Sequence, residues 1–186
     1  MWDHLSEISK KYQKLNGCHG YEHTERVVKL CKAIGNKTGA DMEVLIPAAI
    51  LHDIKRSEQN HARAGAFEAE KILRKMGYPE ETIKQVSHVI RAHSFSDETI
   101  ADTLEAQILS DADKLDAMGA IGIYRTAMYS GELDRTFNDF VKHFHEKLLT
   151  LKDLLYTEEA KLMAAERDRF MLEYLGQLAK EIKAET

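Results

Sequence analysis

Apolar residues recur along this chain with a helical period, and turn-forming residues punctuate the pattern. Leu5, Ile8, Tyr12 and Leu15 predict a first helix from Trp2, with Asn16-Gly17 as its stop and Cys18-His19-Gly20-Tyr21 as a loop. Val27, Val28, Leu30, Cys31 and Ile34 share one face of a second helix, from Glu22 to near Thr38-Gly39. Asp41 is placed to cap a third, in which Val44 to Leu51 is almost unbrokenly apolar. Pro47 interrupts that run. A proline inside a helix costs about 3 kcal/mol, and the apolar pattern on both sides predicts a kink there rather than an end. His61 to Met76 and Pro79 to His93 follow as amphipathic helices on either side of Gly77, and Ser94-Phe95-Ser96-Asp97 reads as an ending. Gly65 would admit a close neighbour. Thr103 to Ala117 is the next helix, the small apolar stretch Ala117 to Ile123 suggests tight packing, and Arg125 lies on the helix after it. Two long amphipathic segments, Thr136 to Leu155 and Glu158 to Glu181, finish the chain. The pattern predicts an all-α, single-domain bundle of roughly eight helices.

Composition agrees. The 186 residues suit one domain with a sizeable core, and only two prolines and ten glycines interrupt it. Apolar residues make up 44% and charged residues 31%, an ordinary balance for a soluble protein. The formal charge is -5 with acids and bases intermixed, so no basic stripe marks a nucleic-acid duplex as partner. A small anionic substrate stays open, because a site can be locally positive on an acidic protein. No signal-peptide core is visible, and no apolar run approaches the roughly 18–20 residues a bilayer requires. The two cysteines, Cys18 and Cys31, form no CxxC pair or disulfide framework, which suits a reducing cytoplasm. Nine histidines are the one compositional hint of chemistry.

That hint sharpens at the end of the third helix, where Ala48-Ala49-Ile50-Leu51 runs into His52-Asp53. Burying an unpaired polar group costs several kcal/mol, so both side chains need compensation. A divalent metal supplies it, since imidazole and carboxylate are good ligands for first-row metals. A buried His–Asp hydrogen bond supplies it too. His23 lies in the first turn of the second helix, fixed yet near an open end. Asp111, Asp113 and Asp116 crowd the sixth helix; Asp113 and Asp116 share a face, and taken alone a solvated acidic face is the better account of them. Lys55 and Arg56 could meet a phosphate, and a solvated helix end accounts for them at least as well. His88 and His93 are five apart, so one helical face cannot hold both unless the helix ends between them.

His23-Thr24-Glu25-Arg26-Val27, then Ala48 to Ile54, then Ala112-Asp113-Lys114-Leu115-Asp116 resembles the HD superfamily of metal-dependent phosphohydrolases, over about Gly20 to Arg125. The resemblance implies an HD-type helical bundle in which His23, His52, Asp53 and Asp113 hold a divalent ion. Asp113 is preferred because it stands in the family's Ala-Asp-x-Leu form, with Asp111 as fallback. Two histidines and two carboxylates favour manganese, nickel, iron or cobalt over magnesium. Branches with two metals use extra histidines, and His61, His88 and His93 resemble those, as second-metal ligands or as phosphate contacts. The implied reaction is hydrolysis of a phosphate ester or anhydride in a nucleotide through a metal-activated water, with Asp53, Lys55, Arg56 and His61 as catalytic candidates. Lys55, Arg56, His61, Lys114 and Arg125 are then the candidate phosphate contacts, although Arg125 better suits an ion pair with Asp116 or Asp111. Arg56-Ser57 stands where the alarmone-hydrolase branch has Glu-Asp, which argues against that substrate. A metal or nucleotide sensor without turnover and a di-iron HD-type oxygenase are the alternatives. The C-terminal segments carry no motif; they suit capping of a pocket or pairing in a homodimer.

Overall fold

The computed structural model describes residues 2–13, 20–94 and 99–184. These form helices α1 (Trp2–Lys10), α2 (Tyr21–Thr38), α3 (Met42–Leu51), α4 (His61–Lys75), α5 (Glu80–Ala92), α6 (Leu104–Asp116), α7 (Gly119–Glu132), α8 (Phe137–Glu146), a 3-10 helix (Leu148–Leu154) and α9 (Glu158–Ile182). There is no strand among the described residues. The expected stop at Asn16-Gly17, the loop through Cys18-His19 and the ending at Phe95-Ser96-Asp97 lie outside the described residues. No helix among them is long and apolar enough to cross a membrane.

Two elements differ from the sequence pattern. α1 stops at Lys10, because the amides of Lys11 and Tyr12 donate to Ile8 and Ser9, three residues back, and the tightened turn ends the α-ladder. The segment expected as one helix from Thr136 to Leu155 breaks at Lys147 into α8 and the 3-10 helix. Leu148 and Leu151 are the buried pair of the second piece, and a three-residue repeat puts them on one side.

The described residues gather into two compact units that divide between Asp113 and Lys114, within α6. In the first, α3 packs against α1, α2, α4 and α5. Every residue of α3 from Val44 to Leu51 is buried, as expected for a helix that is apolar all round. The Asp41 carboxylate accepts from the Glu43 amide at 2.9 Å and caps its start, and the helix runs on through Pro47. Its far end is fixed from two sides. The Ser9 hydroxyl on α1 donates to the Ile50 carbonyl at 2.7 Å, satisfying one of the orphan carbonyls of a helix C-terminus. Gly65 on α4 comes so close that an added Cβ would stand 3.3 Å from the His52 carbonyl. The last turn of α3 is thus held rigidly, and His52 and Asp53 leave from it.

In the second unit, α7 packs on α9, and the 3-10 helix packs on α8 and α9. Phe144 is fully buried, with the rings of Phe140 and Tyr174 at 5.1 and 6.0 Å between centroids. Thr136 and Asp139 form a capping box at the start of α8. The turn from α6 to α7 depends on glycine. Gly119 has φ +69°, and a Cβ on Gly122 would lie 2.3 Å from the Ala117 carbonyl oxygen. Arg125 pairs with Asp116 at 2.8 Å, Lys152 pairs with Asp168 at 2.7 Å, and Arg167 donates to the Leu115 carbonyl.

Candidate metal centre

Five segments of the first unit meet at the end of α3. His23 comes from the first turn of α2, opened by Gly20 in an extended conformation. His52 is the C-terminal cap residue of α3, and Asp53 follows it. His61 is the first residue of α4, His93 caps the C-terminus of α5, and Asp113 lies on α6. His23, His52, Asp53 and His93 are nearly inaccessible, at 0–4% exposure, while the Asp113 side chain is 33% exposed and gives the site its open side.

The ligand atoms form two sets, His23/His52/Asp113 and Asp53/His61/His93, and one oxygen of Asp53 faces the first set. Nε2 of His23 lies 3.2 Å from Nε2 of His52 and 3.2 Å from Oδ1 of Asp113. Oδ2 of Asp53 is 3.7 Å from the first imidazole and 3.8 Å from the second. Two atoms bound to one ion at about 2.1 Å stand about 3.0 Å apart at a right angle and about 3.4 Å at a tetrahedral one. The His23–His52 and His23–Asp113 pairs have that spacing, and Asp53 Oδ2 stands a few tenths of an ångström beyond it. The other carboxylate oxygen, Asp53 Oδ1, lies 3.8 Å from His93 Nε2 and 4.0 Å from His61 Nε2.

Hydrogen bonding aims the rings. His52 Nδ1 donates to the Ala49 carbonyl at 2.8 Å, and His93 Nδ1 donates to the Ile90 carbonyl at 2.5 Å. Each neutral ring then presents a bare Nε2 lone pair to the cluster. Burial drives the His52 imidazole down to about 4, so it stays neutral at ordinary pH. Burial works against ionisation of Asp53 and Asp113, but the surrounding imidazoles outweigh it, led by His52 and His93 for Asp53 and by His23 for Asp113, and hold both carboxyls well below the usual range. Burial also lowers His61, with Arg56 adding to it, whereas the Asp53 carboxylate 3.8 Å away outweighs burial and raises His93.

This donor set fits a divalent ion. The Nε2 atoms of the buried His23 and His52 face each other at 3.2 Å beside the ionised Asp113, a crowding of donors that is expensive unless a cation compensates it. α3 and α5 both end here, and the partial negative charge of a helix C-terminus favours a cation as well.

The other candidates are placed differently. Arg56 reaches the cluster, with Nη1 3.1 Å from His61 Nε2 and 3.5 Å from Asp53 Oδ1. Lys55 is taken by Glu58 at 3.2 Å. His88 is not brought to the cluster. Its Nε2 lies 2.7 Å from an Asp102 carboxylate oxygen, and it lines a separate cleft of about 350 Å³ with Lys84 and Glu105. The reason is helical phase: α5 stays helical to Ala92 with His93 still in the αR region, so the two histidines leave different faces. Asp111 is fully buried and lies outside both ligand sets. In the second unit, Lys114 stands 5.6 Å from the Tyr156 ring centre, and Arg125 makes the ion pair with Asp116 noted above. Sequence reasoning passed over the Ala49 and Ile90 carbonyls. Backbone acceptors leave no residue signature; a histidine at a helix C-terminus, three residues past a carbonyl, is the only trace.

Residues 20–118 match the HD domain family. The uncharacterized protein YpgQ of Bacillus subtilis (strain 168) is 35% identical over 173 residues, which span 88% of this chain and 84% of that one. The crystal structure of Bacillus subtilis YpgQ in complex with ADP superposes with a TM-score of 0.85 at 32% identity, covering 98% of each chain. An HD-superfamily hydrolase from Bacillus thuringiensis superposes with a TM-score of 0.82 at 31% identity, over 99% of this chain and 97% of that one. With a helical fold, clustered histidines and aspartates at the end of α3 and likeness over nearly its whole length, the chain belongs to the HD domain family of metal-dependent hydrolases.

Proposed function

We propose that the protein is a phosphohydrolase that acts on a nucleotide with one divalent ion, held by His23, His52, Asp53 through Oδ2, and Asp113. The observation that carries this reading is the placement of His52, Asp113 and Asp53 within 3.2–3.7 Å of the His23 imidazole. A nucleotide as substrate is supported by the ADP complex of YpgQ. Two neutral imidazoles and two carboxylates favour manganese, nickel, cobalt or iron over magnesium.

When bound, the ion supplies a nucleophilic water near neutral pH and offsets charge on the phosphoryl oxygens. The protein's own residues do the rest. The Ala49 carbonyl fixes the His52 ring, so its Nε2 is ready for a cation without rearrangement. The low carboxyl pKa values keep Asp53 and Asp113 ionised. Arg56 and His61 flank Asp53 as the groups nearest to it that can meet an incoming phosphate, and the guanidinium suits phosphoryl oxygens in particular. The partly exposed side of Asp113 is where the phosphate enters.

The test is hydrolysis of nucleoside mono-, di- and triphosphates with manganese, nickel, cobalt or magnesium. Asp53→Ala should abolish turnover and leave the helical circular dichroism intact. Turnover that survives in Asp53→Ala refutes the reading.

A further inference from the structure

The second ligand set, Asp53 Oδ1, His61 Nε2 and His93 Nε2, is compact enough to hold an ion of its own. Two of its three atoms are already engaged by a cation. Arg56 Nη1 lies 3.1 Å from His61 Nε2, which accepts its N–H, and 3.5 Å from Asp53 Oδ1. An imidazole nitrogen has one lone pair, so the one that accepts from Arg56 cannot also bind a metal. The guanidinium is a planar fork of N–H donors with no acceptor, so in this contact it can only donate. It is also held close: the Arg56 amide donates to the Asp53 carbonyl at 3.1 Å, so the arginine grows from the same turn as the carboxylate it faces.

We propose that Arg56 is a built-in second cation, occupying the place a second ion would take and limiting the centre to one metal. This rests on the metal-site reading above and specifies it further. Asp53 then bridges two positive charges, the ion at Oδ2 and the guanidinium at Oδ1. The arrangement excludes two-metal chemistry, including that of a di-iron oxygenase, as long as Arg56 keeps its place. Its side chain is 39% exposed, so the same cation remains open to phosphate.

The experiment counts manganese. Chelator-stripped wild type, Arg56→Ala, Arg56→Gln and Arg56→Ala/His61→Ala are dialysed to equilibrium against Mn²⁺, and bound metal per chain is measured by mass spectrometry. The expected result is one ion in wild type, two in Arg56→Ala and Arg56→Gln, and one again in the double variant. The two-ion forms should also show the exchange-broadened electron paramagnetic resonance of neighbouring Mn²⁺ ions. Two ions in wild type, or one in both folded Arg56 variants, overturns the proposal and leaves the one-metal centre standing. A wild-type chain that binds none removes the metal centre itself, and this proposal with it.

Discussion

Replacing His52 with glutamine should remove a pH-dependent weakness from the metal-free protein. His52 is fully buried, and its imidazole sits at about 4 in the fold against an ordinary 6.5. Between those values the unfolded chain takes up a proton at this position and the folded chain does not. The unfolded state binds more protons there, so stability rises with pH across the window and falls as pH drops from about 6.5 to about 4. At 1.36 kcal/mol per unit, the shift amounts to about 3 kcal/mol. That is a large share of the 5–15 kcal/mol that typically holds a protein folded. Other groups of the site act outside this window or in the opposite direction. Asp53 and Asp113, with lowered pKa values, add stability that is complete above their unfolded value near 3.8 and is lost only below it. His93, raised, adds stability that is complete below 6.5 and fades as pH climbs through its folded value. His61 and His143, lowered mainly by burial, slope like His52 but are present in both proteins and drop out of the difference. Urea unfolding in chelator, followed by circular dichroism from about pH 7 to about pH 4.5, gives the two curves. Wild type should lose about 2.4 kcal/mol relative to His52→Gln over that range, most of the remainder coming below it. Parallel curves would show that the ring is not held neutral by burial, and the argument for a lone pair kept ready for a cation would fail.

Two further outcomes can be checked on the same material. Mn²⁺ at about a thousand times its Kd should stabilise the protein by about 4 kcal/mol, or raise Tm by about 10 °C for a chain this long, and chelator should reverse it; a melting curve indifferent to manganese, nickel and cobalt would mean no such site exists. Gly122→Ala places a Cβ 2.3 Å from the Ala117 carbonyl, a backbone atom that can yield only if the turn moves. The variant should lose about 1–3 kcal/mol in urea unfolding, and a wild-type midpoint would show that the turn is more pliant than this contact allows.

The parts of the fold legible in the sequence are those where one local rule acts without competition. The unbroken run from Val44 to Leu51 makes α3 a buried helix whatever surrounds it, and every residue of the run is buried. Asp41 caps its start and Gly39, at φ +76°, ends α2, each at the position its chemistry dictates. The break at Lys147 was hidden, because an α-helix and a 3-10 helix both bury leucines at a spacing of three, and Leu148 and Leu151 satisfy either. In the site, spacing shows which types of side chain are available but not their phase or partners. His88 illustrates phase: its separation from His93 matters only because α5 runs unbroken almost to His93. Arg56 illustrates partners. The sequence marks it as a cation near the His–Asp pair, whereas its contact with His61 and Asp53 depends on the turn from His52 to Asn60 and on where α4 begins.

One shortage of positive charge explains the centre as a whole. The fold gathers two ionised carboxylates and the ends of two helices, α3 and α5, around imidazoles, of which burial keeps His52 neutral and pushes His61 down. Each of these is unfavourable for a metal-free protein, and each favours a cation. Protonating the imidazoles would relieve the shortage, but His52 refuses a proton until about pH 4. On the proposed reading, a divalent ion would relieve it on the Oδ2 side of Asp53, and Arg56 on the Oδ1 side. The rigidity that α1, α2, α4 and α5 impose on α3 is what prevents the side chains from escaping the conflict by moving apart. Loosening that grip, for example by removing the Ser9 hydroxyl that holds the Ile50 carbonyl at 2.7 Å, should therefore weaken metal affinity even though Ser9 touches no ligand.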